Sequence, residues 1–216
     1  MSHSTDPTPP PRAPCASRVG AAAVAAAAWA VLVARSPDRF FAIAAPFCLI
    51  WILLSTRAAP AGLRDRLAPS AADVALGAGA ALALYAGTRL FLRAGCGGLT
   101  DALCGPLAEM FVRFHTRALG PALVLGLLAA PGEELFWRGV VQARLARRLH
   151  PALAVALATA LAVGGALATG EPFLALATAP TYAAWGALSA WRRSLVPAIV
   201  SHSIWSVLVA SAAPPA

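Results

Sequence analysis

Long apolar runs, separated by short stretches that carry arginine, proline or glycine, dominate the pattern along this chain. They extend from about Val19 to Ala34, Phe40 to Leu54, Val74 to Leu92, Pro151 to Thr169, Pro172 to Trp191 and Leu195 to Ala210. A further run starts near Leu119 and continues past Arg138 into the basic stretch Arg144, Arg147 and Arg148. A helix needs about twenty apolar residues to cross hydrocarbon, and these runs approach or reach that length. The pattern predicts an all-α, polytopic membrane protein with about seven transmembrane helices. Between the third and fourth runs, Arg93 to Arg117 is more polar, holding Asp101, Glu109, Arg113 and His115. It predicts one helix lying along the interface. No internal repeat is visible.

Composition agrees with lipid as the solvent. The 216 residues are 59% hydrophobic and only 12% charged, against about a quarter charged in an ordinary soluble domain. Residues 1–17, rich in proline and serine, predict a disordered tail. Residues 18–212 then form a single transmembrane domain, with a catalytic-like core in 119–210. Arg12 and Arg18 precede an apolar run, as in a signal peptide. No small-x-small cleavage site follows, so the run is expected to remain as the first span.

The formal net charge is +8 and every cation is an arginine. These arginines punctuate apolar runs and form no basic surface interleaved with aromatics, which argues against nucleic acid and for the lipid bilayer as partner. With the N-terminus cytoplasmic, the inner segments hold Arg12, Arg18, Arg57, Arg64, Arg66, Arg144, Arg147, Arg148, Arg192 and Arg193. The outer ones hold Arg35, Arg39, Arg93, Arg113 and Arg117. This obeys the positive-inside rule and places the C-terminus outside, in a bacterial-type plasma membrane. Cys96 and Cys104 share the outer loop, where a disulfide and two independent thiols are the alternatives, the second favoured. No Cys/His spacing suggests structural zinc.

The fourth run contains Pro131-Gly132-Glu133-Glu134-Leu135-Phe136-Trp137-Arg138-Gly139. One acidic residue at the centre of a membrane helix costs roughly 2.5–3.5 kcal/mol on insertion scales, and two neighbours also repel each other. Such residues mark relays, ion sites or catalytic sites. Glu134 and Arg138, four apart, share a helix face and can pair. Glu133 lies about 100° round the axis and is left to face something else. Pro131 removes an amide donor and predicts a kink just before the carboxylates. A purely structural ionic cluster is the competing reading.

The last run contains His202 and, four residues on, Ser206. Glu134 lies ten positions from Arg144, and His202 nine from Arg193. At about 1.5 Å per residue the two depths agree, so Glu133 and His202 are expected in one layer. A lone membrane histidine otherwise serves as a helix–helix hydrogen-bonding group.

These residues resemble the CPBP intramembrane proteases, the CAAX-protease and bacteriocin-processing group. Glu133 to Arg138 matches the family's EExxxR motif. Gly186 to His202, with Ser194-Leu195-Val196-Pro197 leading to His202, is similar to its glycine-rich helix, basic turn and final helix. The resemblance covers about Ala130 to Ser206. It implies an intramembrane endopeptidase in which Glu133 activates water, Glu134 and Arg138 support the site, and His202 binds the water or stabilises the oxyanion. The family's histidine on the fifth helix is absent from Val163 to Thr169, and Ser206 stands where an amide or acid is usual. Thr169 or Thr159 could supply a polar group there. No cofactor is implied, although a divalent ion held by Glu133, Glu134 and His202 stays open. The implied partner is a membrane-anchored protein or peptide substrate. The competing functions are a non-catalytic binding protein of the same fold and a small transporter.

Overall fold

The computed structural model describes residues 15–35, 40–94, 104–105, 107–109, 112 and 115–211. Its described part is helical. Helix α1 spans Cys15–Arg35 and α2 spans Phe40–Ala58. A single turn, α3 (Leu63–Arg66), leads to α4 (Ala71–Ala94). The long α5 covers Leu119–Leu145. Helices α6 (Pro151–Leu167), α7 (Pro172–Arg192) and α8 (Val196–Ser211) complete the fold. Each expected apolar run is thus a helix. By length and composition α4 and α5 are able to cross a membrane, while Ala44–Ala58, α6 and α8 are shorter apolar helices.

Two expectations change at the ends. Helix α1 begins at Cys15, inside the segment expected as a tail, and residues 1–14 lie outside the described residues. Most of the expected interfacial helix within 93–117 also lies outside them. From this region Leu107 is buried, in a cluster with Leu92, Phe173 and Val209. Cys104 is disulfide-bonded, so it is not the independent thiol favoured from sequence. Cys96 lies outside the described residues.

Lipid tails are as apolar as leucine, so these helices associate by close packing rather than by escape from water. The sequence supplies small residues where they meet. Helix α6 turns Ala154, Ala158, Ala162 and Ala166 inward at four-residue spacing, a single helical face that lies along α7. Helix α4 lies along α8, and a Cβ added at Gly77 would stand 2.7 Å from the Pro197 carbonyl oxygen. Gly126 of α5 likewise lies against Val207 of α8.

Two aromatic clusters flank α5. Trp51, Ala25, Ala58, Phe136 and Val140 gather α1, α2 and α5. Trp185, Tyr182, Ala162 and Ala198 gather α6, α7 and α8. Trp137 packs against both, and the glutamate pair lies between them.

Helix α5 is irregular around that pair. Leu125–Ala129 and Leu135–Gln142 are π-helical, and Ala130–Glu134 between them is α-helical. The Ala130 amide reaches back to the Leu125 carbonyl, a five-residue bond immediately before Pro131. The disturbance expected at Pro131 therefore takes the form of widened turns. Such π turns inside α-helices are frequent at functional sites.

Candidate active site

Glu134 and Arg138 form a buried ion pair. Arg138 Nη1 donates to Glu134 Oε1 at 3.1 Å, and the two side chains are 2% and 0% exposed. Helical spacing alone brings them together. The other guanidinium nitrogen, Nη2, donates to the Tyr182 carbonyl at 2.7 Å. The guanidinium carbon lies 4.3 Å from the centre of the Tyr182 ring and 5.8 Å from that of Trp185. Paired, hydrogen-bonded and over aromatic faces, the charge has the partners that a buried ion requires.

His202 comes from α8 to the same carboxylate. Its Nδ1 lies 2.9 Å from Glu134 Oε1. A carboxylate only accepts, so Nδ1 carries the proton and Nε2 is the nitrogen left for other work. Ring orientation is fixed from behind. Trp185 stacks on the imidazole with centroids 3.8 Å apart and planes 16° apart, and its own Nε1 donates to Ser201 at 2.9 Å. The matched depth of Glu134 and His202 is thus observed, but the partner differs from expectation. His202 pairs with Glu134 rather than Glu133, because the face of α5 that carries Glu134 and Arg138 is the one turned to α8.

Glu133 points elsewhere. Its Oε1 accepts from Trp29 Nε1 of α1 at 3.1 Å, and its Oε2 accepts from the phenol of Tyr182. It lines a cavity of about 650 Å³, together with Trp29, Tyr182, Trp185, His202 and Ser206. Glu133, His202 and Ser206 therefore meet at one cavity, while Glu134 and Arg138 are buried outside its lining. On the α6 side the lining is Ala162, Gly165, Ala166 and Thr169. Thr169 is the polar group there, its hydroxyl donating to the Ala166 carbonyl at 2.6 Å. Thr159 is not part of the lining.

Sequence reasoning missed Tyr182, Trp29 and Trp185. Each is an aromatic residue in an apolar helix, a pattern that reads as ordinary packing. Among the described residues no group of three or more His, Cys, Asp or Glu side chains is placed to hold a metal ion. Glu134 Oε1 is shared by Arg138 and His202, while its Oε2 has no hydrogen-bond partner among the described residues.

Beneath this layer the basic end is stitched by Arg66 of α3. Its guanidinium lies 3.4 Å from the Arg138 carbonyl oxygen and 3.3 Å from Ser189 Oγ, and burial draws its pKa below the usual guanidinium value. The Arg66 carbonyl accepts the Leu195 amide at 2.8 Å. Gln142 donates to the Gly186 carbonyl at 3.0 Å.

Apolar helices around a buried ion pair and a cavity-facing carboxylate suit an integral membrane protein. Residues 115–208 match the family model described as Rce1-like, type II CAAX prenyl endopeptidase. The match contains Glu133, Glu134, Arg138, Tyr182, His202 and Ser206. Comparisons with curated proteins and with solved structures gave no match.

Proposed function

We propose that the protein is an intramembrane endopeptidase that cleaves a peptide bond in a membrane-anchored protein or peptide tail, with Glu133 as general base. The observation that carries this reading is the meeting of Glu133 and His202 at one cavity, with Glu134 holding the imidazole from behind. Glu133 takes a proton from water, and the hydroxide oxygen bonds to the carbonyl carbon. Neutral Nε2 of His202 accepts the water's second hydrogen and aims it. The C–N bond then breaks, and the proton on Glu133 passes to the leaving nitrogen. A positioned general base contributes about 10²–10⁴-fold. The apolar cavity strengthens each polar contact by excluding bulk water. Arg138 and Glu134 act through His202, and Ser206 supplies a hydroxyl one turn further along α8, away from the arginine-rich end. We assign the reaction no metal cofactor.

The same reading assigns seven spans, a single transmembrane domain, a cytoplasmic N-terminus and a bacterial-type plasma membrane. It rests on the apolar helices and the arginine distribution. The test is Glu133→Gln, assayed in detergent or proteoliposomes on a membrane-anchored peptide. Cleavage falls at least ~10²-fold if Glu133 is the base, and undiminished cleavage removes it from that role.

One observation favours a second reading, a non-catalytic binder of membrane segments. The α6 wall of the cavity offers Gly165 and Ala166 where the resemblance would place a histidine. Peptide binding that survives Glu133→Gln, with no product from the wild-type protein, distinguishes it.

A further inference from the structure

Tyr182 is tied to both halves of the site. Its phenol donates to Glu133 Oε2. Its main-chain carbonyl accepts from Arg138 Nη2, and its ring lies against the same guanidinium. The ring also packs edge-on to His202, with centroids 6.0 Å apart. Tyr182 is buried at 8% exposure and lines the cavity. Across the cavity α6 presents short side chains. The phenol of the next helix thus supplies, on that side, the polar group that reaches Glu133.

A general base works only if its carboxylate is aimed. An unrestrained glutamate samples several rotamers, and a misplacement of about 1 Å can cost roughly 10²-fold in rate. We propose that Tyr182 is the positioning residue of Glu133. Its phenol fixes the carboxylate plane against α7, with Trp29 holding the other oxygen from α1, so that the remaining lone pairs face the cavity. The ring contact with Arg138 then sets the base in register with the Glu134–His202 pair. This inference rests on the proposed role of Glu133 as base. Tyr182 acts through that carboxylate and is assigned no contact with the substrate.

Two measurements test it. Tyr182→Phe keeps the ring, the contact with Arg138 and the main-chain carbonyl, and removes only the O–H. It lowers kcat by roughly 30–100-fold with KM within about twofold, because the lost interaction serves the reacting geometry rather than binding. The second measurement needs no substrate. The chain has 2 tyrosines, Tyr85 and Tyr182. With tyrosine carbon-labelled at the phenolic ring position, Glu133→Gln moves the Tyr182 resonance in detergent and leaves that of Tyr85 in place. A Tyr182 resonance that ignores Glu133→Gln overturns the inference whatever the activity. So does a wild-type kcat in Tyr182→Phe when Glu133→Gln is inactive, and in that case the base assignment stands. If Glu133→Gln itself cleaves normally, the base assignment fails and the role of Tyr182 goes with it.

Discussion

At the scale of residues, the site divides into a part that spacing dictates and a part that only the packed helices create. Glu134 and Arg138 belong to the first, since four residues of helix place them on one face, and the ion pair forms at 3.1 Å. Its worth can be separated from catalysis. Arg138→Ala leaves a buried carboxylate opposite nothing but His202. It should cost about 3–5 kcal/mol of stability, the usual penalty for removing one partner of a buried pair. Replacing both as Glu134→Gln with Arg138→Met leaves no unpaired buried charge and should recover a large share of that loss, with activity absent in both. Thermal unfolding of the three proteins in one detergent checks this, and a double variant no more stable than Arg138→Ala would contradict it. Other contacts were not legible. The Tyr182–Glu133 bond joins residues 49 apart and the Trp29–Glu133 bond joins residues 104 apart. Nothing in an apolar helix marks one aromatic as a hydrogen-bond donor and the next as filler. Depth along two helices could be counted from the arginines, so Glu134 and His202 were legible as one layer. Rotation about each axis could not, which is why Glu133 was expected to meet His202.

At the scale of elements, apolar run length marked the helices because the hydrocarbon slab imposes it, and proline and arginine marked their ends. The state of α5 was not legible. Pro131 announces a missing donor, but whether the helix bends or widens depends on what its neighbours allow. Here Gly126 and Gly132 admit close neighbours, Val207 of α8 and Ile52 of α2. Small residues carry the other packing too, and Gly77 is the most demanding case. Its added Cβ would meet the Pro197 carbonyl oxygen at 2.7 Å and Val200 Cβ at 2.8 Å. The first of these is backbone and has no rotamer to change. Gly77→Ala therefore pushes α4 from α8 and is expected to cost about 1–3 kcal/mol as overpacking. Gly79 on the same helix has nothing within 4 Å of such a Cβ, so Gly79→Ala should be neutral or slightly stabilising through helix propensity. Comparing the two unfolding midpoints tests the crossing, and equal midpoints would count against it.

At the scale of the whole molecule, the family match begins at residue 115, yet the helices before it complete the site. Trp29 of α1 holds Glu133, and Arg66 of α3 reaches the Arg138 carbonyl. At the same end, Asp73 of α4 pairs with Arg192 of α7 at 2.7 Å. Arg144 of α5 donates to the Ala58 carbonyl of α2 at 2.7 Å. The arginine-rich end is therefore tied between helices by polar bonds. It is also the end that the positive-inside rule assigns to the cytoplasm. The two roles can conflict, because an arginine spent on a carbonyl or a carboxylate is less available to anionic headgroups. Arg147 and Arg148 are exposed, and so can serve orientation, where juxtamembrane cations gain about 1 kcal/mol each at an anionic surface. The orientation is tested by single cysteines at exposed positions of opposite ends, Arg147→Cys and Arg117→Cys, in a background lacking Cys15 and Cys48. A membrane-impermeant maleimide applied to intact cells should modify the cysteine at 117 and spare the one at 147. Inverted vesicles should give the reverse. Labelling of 147 from outside, with 117 protected, would turn the molecule over and move the Glu133 cavity toward the opposite face of the membrane.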